Sequence, residues 1–208
     1  MILESEARSV TDPVQGADPQ VDSLVLSLLQ AYCERIPALP SELRYLEFGG
    51  PQALHGWRTR CISVRMAARG ALLLPSTEHL ERLQEDRPQD IVMHGRLGDR
   101  EEETVASPPL WDLDDFVERV FPFNRLDHLV LHGDPEDLCG IRSCEFRVVR
   151  PYMLHVVSLC PIGQEQICDA MSHLGRRDFV LIAARSHDLI FLDSLAFLRP
   201  EQSSSFIV

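Results

Sequence analysis

Tyr152-Met-Leu-His-Val-Val-Ser-Leu159 is almost unbroken apolar sequence, and Pro161 and Gly163 punctuate its end. A short apolar run bounded by breakers reads as a strand buried on both faces. The period then changes. Ile162, Ile167, Cys168, Ala170, Met171 and Leu174 fall on one side of a 3.6-residue helix, and Gly175 stands where a left-handed cap belongs. Two further apolar runs, Phe179 to Ala184 and Leu189 to Leu192, flank the polar Arg185-Ser-His-Asp188, which reads as a hairpin. The connection from Leu159 to Phe179 is long and helical enough for a parallel crossover. The stretch from Phe146 to Arg199 therefore reads as a β-α-β-β unit with three largely buried strands.

Upstream, Asp18-Pro19 opens a helix with Val21, Leu24, Val25, Leu28, Leu29, Tyr32, Cys33 and Ile36 on one stripe, and Pro37 and Pro40 stop it. Leu43 to Phe48 reads as a strand ended by Gly49-Gly-Pro51. Cys61 to Met66 alternates, with Ile62, Val64 and Met66 on one side. Ala67-Ala-Arg-Gly70 then turns the chain into Ala71 to Leu74, which predicts a second hairpin. Ser76 or Thr77 caps a short helix carrying Leu80 and Leu83, and Ile91 to Met93 is a short strand. Asp112 caps a helix with Leu113, Phe116, Val117, Val120 and Phe121 on one face, and Leu126 to His132 is another strand.

The expected fold is α+β (mixed α/β), with one or two mixed sheets, hairpins and about three to four packed helices, among them 19–36, 112–121 and 162–174. Residues 1–17 read as a disordered tail and 201–208 as a C-terminal tail. Residues 18–200 read as a single globular domain, divisible into 18–94 and 111–200 about an acidic loop at 95–110.

The chain has 208 residues, 45% hydrophobic and 25% charged, which suits a packed globular core. Its net charge of -12 argues against a surface that tracks phosphates, so no nucleic-acid partner is expected. All 20 basic residues are arginine, as a GC-rich genome would produce. No Schiff-base or phosphate-loop lysine can therefore exist. Six cysteines lie at 33, 61, 139, 144, 160 and 168 without a secretory leader, so free thiols and a cytoplasmic or nuclear setting are expected. No apolar segment reaches the length of a membrane span.

Motifs for chemistry are sparse. His132, Cys139 and Cys144, with His128 before them, offer three zinc-ligand types but no Cys-x-x-Cys pair, so no metal is expected. Cys160 lies between a strand and a helix, where a thiol can be activated, with His155, His173 and His187 as partners. His155, Cys160 and Cys168 are better explained as filling of the core. Asp114-Asp115 and Glu101-Glu102-Glu103 read as solvated carboxylates, and Arg185-Ser-His-Asp188 as turn composition. No Gly-x-Ser-x-Gly elbow, Gly-x-Gly-x-x-Gly loop or Walker loop occurs.

No catalytic residue is assigned on this reading, and no cofactor is expected. The expected function is a non-catalytic intracellular interaction or regulatory protein whose partner is another protein. It would work through the acidic 95–112 segment, the 133–144 loop or the tails. The competing class is a cysteine- or zinc-dependent hydrolase. Trp57-Arg-Thr-Arg-Cys61, the predicted hairpin after it, Asp178 to Ala183 and Leu189 to Leu192 resemble the US22-type proteins of large DNA viruses. That resemblance implies an α+β fold that binds other proteins, and a GC-rich viral genome would fit the missing lysines.

Overall fold

The structure, a computed structural model, describes residues 18–35, 42–49, 59, 62–63, 65–78, 80–97, 108–121, 125–133, 146, 148–158 and 160–198. Five helices occur among the described residues: α1 (Pro19–Arg35), α2 (Leu80–Asp86), α3 (Leu113–Val120), α4 (Gln164–Gly175) and α5 (Ser194–Leu198). The strands are β1 (Leu43–Phe48), β2 (Ala68–Leu74), β3 (Ile91–His94), β4 (Arg96–Leu97), β5 (Leu110–Trp111), β6 (His128–Gly133), β7 (Met153–Ser158), β8 (Phe179–Ala184) and β9 (Asp188–Asp193).

Seven strands form one mixed sheet in the order β3-β2-β1-β6-β7-β9-β8, and β4 and β5 make a separate parallel pair. The run from β3 to β7 is parallel throughout, while β9 is antiparallel to both β7 and β8. Parallel strands need helices on both faces, and that is why these strands read as near-continuous apolar runs. On one face Leu46, Phe48, Leu129, Leu131, Leu154, Val156 and Phe191 pack with Phe116 and Val117 of α3 and with Ala170 and Leu174 of α4. On the other, Leu43, Tyr45, Met153, Ile190 and Leu192 meet Val21, Val25, Leu26 and Leu29 of α1. Each such aliphatic or aromatic side chain contributes roughly 1.5–3 kcal/mol by leaving water.

Local signals hold at several ends. The Asp18 carboxylate accepts from Gln20 N at 2.9 Å at the start of α1. That of Asp112 accepts from Asp114 N and Asp115 N at 2.9 and 3.2 Å at the start of α3. Asp127, at the lower end of β6, accepts from Tyr32 Oη at 3.0 Å, Arg44 N at 2.7 Å and Arg125 Nε at 2.8 Å. It thereby ties α1 and β1 to the middle of the sheet.

The mixed α/β class is as expected, but the main sheet, with seven strands, is larger than predicted. The second hairpin is corrected. Ile62, Ser63 and Arg65 are helical, Met66 N donates to Ile62 O at 2.8 Å, and β2 runs parallel to β1. Ile62 and Met66 are four apart, which is two periods of a strand and also about one helical turn, so the spacing fits either. In the C-terminal unit the helix and hairpin form at the expected positions, but β9 inserts between β7 and β8, and β8, expected to be largely buried, alternates between covered and exposed residues. The left-handed residue after α4 is Asp178, with φ 64°, and not Gly175. No helix among the described residues is long and apolar enough to cross a membrane.

Candidate functional site

Strand order reverses between β1 and β6. The chain leaves β1 toward β2 and β3 on one side, and leaves β6 toward β7 on the other. At such a reversal, doubly wound sheets bind ligands in a crevice above the carboxyl ends of the two strands. Glu47, Phe48 and Gly49 stand at that end of β1, His132 and Gly133 at that end of β6, and Pro75 and Ser76 follow β2.

Gly49 has a left-handed φ of 90°, and a Cβ on it would lie 2.6 Å from the carbonyl oxygen of His132. No side chain fits, so the backbone of β1 turns hard against β6 at the reversal. Glu47 and His132 face the same side of the sheet and are joined at 2.7 Å between His132 Nε2 and Glu47 Oε1. Thr59 Oγ1 donates to Glu47 Oε2 at 2.5 Å. Burial alone would raise the Glu47 pKa. The hydrogen bond and charge of His132, with Thr59 and the more distant Arg87, outweigh it and hold the carboxyl below its ordinary 4.5. An ionised carboxylate only accepts, so the His132 Nε2 that faces it carries a proton. Nδ1 has no partner among the described residues.

The polar network continues away from the crevice. Arg87 Nη1 donates to Thr59 Oγ1 at 3.1 Å, its Nε donates to Asp90 Oδ2 at 2.6 Å, and Nη2 donates to Tyr45 Oη. Tyr45 Oη in turn donates to Asp90 Oδ1 at 2.6 Å. Burial, ahead of Asp90, pushes the Tyr45 hydroxyl pKa up. The Tyr45 ring lies over Gly70, where an added Cβ would meet it at 2.0 Å. On the same face, further from the reversal, His155 Nε2 meets Asp188 Oδ1 at 2.8 Å, and the His128 and His155 rings stack at 6.0 Å.

Of the residues singled out in the sequence, His132 alone lies at the strand-order reversal, and Glu47 engages it. Cys139 and Cys144 lie outside the described residues, and no metal-binding group of three or more His, Cys, Asp or Glu occurs among the described ones. Cys160 is exposed, and its backbone N donates to Ser158 Oγ at 3.2 Å. His155 is held by Asp188, His173 lies in the last turn of α4, and His187 Nδ1 lies 3.2 Å from Ser158 O. The structure therefore does not assemble a thiol–imidazole pair from Cys160 and these histidines. Asp114 accepts from Val149 N at 2.9 Å, which is a structural tie. Arg185 and Asp188 close the hairpin through their backbones. Within 95–110, Arg96–Leu97 and Leu110–Trp111 pair with each other, and residues 98–107 lie outside the described set.

Sequence reasoning missed Glu47, Gly49, Thr59, Arg87 and Asp90. The only signal was an acid, one residue and a glycine closing an apolar strand.

The fold is a doubly wound α/β sheet whose strand order reverses between β1 and β6. No family model and no curated protein matches the chain. Among solved structures, it is similar to the CurJ carbon methyltransferase, with 13% identity over 82% of this chain and 52% of that one, at a TM-score of 0.48. It is similar to the DszA carbon methyltransferase, with 12% identity over 83% of this chain and 53% of that one, at 0.47. It is also similar to a TehB-like SAM-dependent methyltransferase from Corynebacterium glutamicum, with 11% identity over 85% of this chain and 100% of that one, at 0.42. At such identities the likeness is one of fold, and the chain spans about half the length of the two carbon methyltransferases. The expected non-catalytic interaction protein of viral origin is corrected here: the similar solved structures named above are methyltransferases.

Proposed function

We propose that this chain is a methyltransferase that binds S-adenosylmethionine (SAM) across the carboxyl ends of β1, β2 and β6. The observation that supports it most is the reversal of a five-stranded parallel run at β1 and β6, with β1 ending on a glycine that leaves no room for a side chain. SAM carries an amino-acid end, a ribose diol and a methyl group activated by a sulfonium. Gly49 fits such a ligand, since bare backbone at the crevice allows close approach. Glu78, exposed just beyond β2, fits as an acceptor for ribose hydroxyls. Glu47 does not fit as a ligand contact, because it is wholly buried and committed to His132 and Thr59. Its part is to fix His132, whose Nδ1 would receive the proton that leaves a methylated atom.

Calorimetric titration of the full chain with SAM, with its demethylated product S-adenosylhomocysteine, and with NAD tests the proposal. Saturable binding of the first two and none of NAD is expected. Binding of NAD without SAM, or of none of the three, would overturn it.

A further inference from the structure

We propose that β8 is a dimerisation strand, which pairs antiparallel with β8 of a second copy of this chain. β8 ends the sheet order, so its outer edge has no strand partner among the described residues. Edge strands are usually blunted by charge, proline or a bulge, and only the last occurs in β8. From Phe179 to Ala184 there is neither charge nor proline. Val180 is 50% and Ile182 45% exposed, two of the few large apolar side chains so exposed among the described residues. Ile182 lies at the bulge in the pairing with β9. Met171, on the α4 that packs against the Phe179 and Leu181 face of β8, is also exposed, at 47%.

The choice of a second copy rests on charge. Exposed Asp178 precedes the strand and exposed Arg185 follows it, and neither side chain has a hydrogen-bond or ion-pair partner among the described residues. A two-fold antiparallel pairing centred between Leu181 and Ile182 sets Leu181 against Ile182, Val180 against Ala183 and Phe179 against Ala184. It also sets Asp178 of one copy against Arg185 of the other, at both ends. A parallel pairing would set like charge on like. The edge is self-complementary, as an isologous contact requires. Two strands stand between β8 and β6, so the dimer leaves the crevice at β1 and β6 open. The dimer therefore goes beyond the proposed function and does not rest on it.

One strand pair makes a small interface, so association should depend on concentration. Sedimentation equilibrium of the full chain is expected to show a reversible monomer–dimer system. Asp178→Arg alone and Arg185→Asp alone should each weaken it at least about tenfold, because two attractive pairs become repulsive. An equimolar mixture of the two variants should associate as tightly as the unaltered chain, since each copy then supplies what the other lacks. A chain that stays monomeric, or a dimer indifferent to both substitutions, would overturn the proposal. So would a chain that dimerises only after residues 199–208 are removed, which would assign the edge to that segment.

Discussion

His128→Leu should flatten the dependence of stability on pH between 7.5 and 5.5. The His128 ring lies in β6 at 1% exposure, and neither ring nitrogen has a hydrogen-bond partner among the described residues. Burial first, and the neighbouring His155 second, hold its pKa well below the ordinary 6.5. The folded protein keeps the ring neutral where the unfolded chain takes up a proton. Protons bound only by the unfolded state favour unfolding, so stability is full above pH 6.5 and falls as pH drops below it. The slope is about 1.4 kcal/mol for each pH unit below 6.5. Glu47 does not confuse this window, because a carboxyl held below 4.5 loses its contribution only at lower pH. Urea unfolding at pH 7.5 and 5.5 measures the effect. Through this residue the unaltered chain should lose about 1.4 kcal/mol between the two, and the Leu variant should lose that much less. Equal losses in both proteins would refute the reasoning.

His132→Leu leaves the Glu47 carboxylate buried without its imidazole and should cost about 3–5 kcal/mol in urea unfolding. The double change Glu47→Leu with His132→Leu should unfold later than that single variant; an additive loss would show that the two are not a pair. Asp127→Ala removes the acceptor shared by Tyr32, Arg44 and Arg125 and should cost roughly 2–4 kcal/mol. Burial and Asp127 together raise the Tyr32 hydroxyl pKa. An ultraviolet titration should therefore show one tyrosine ionising at lower pH in this variant, and an unchanged titration would contradict the assignment.

Much of the scaffold was legible. The α1 stripe, the capping aspartates Asp18 and Asp112, the apolar runs of β1, β6 and β7, and the β8–β9 hairpin all read correctly, because burial and capping leave direct marks on residue type. The order of the sheet did not. Cys61 to Met66 fits a strand or a helical turn equally, and reading it as a strand replaced the crossover between β1 and β2 with a hairpin. That one choice hid the parallel half of the sheet, and with it the reversal that makes the crevice. The crevice itself carries few local marks. Glu47, Thr59 and Arg87 are polar residues on apolar or polar stretches, and only the pairing of β1 with β6 and the packing of residue 59 beneath them bring the three together. The Gly49-Gly-Pro51 end of β1 read as a simple strand stop, since it lacks the spaced third glycine of a nucleotide loop.

Hydrogen–deuterium exchange of the full chain, with and without saturating SAM, tests the central claim most directly, because it reads both binding and place. Peptides that span Glu47 to Gly49, Leu74 to Glu78 and Leu131 to Gly133 should slow on adding SAM, while β8 and β9 at the far edge stay unchanged. Slowing confined to other strands, or no slowing at any peptide, would contradict a ligand site at the reversal between β1 and β6.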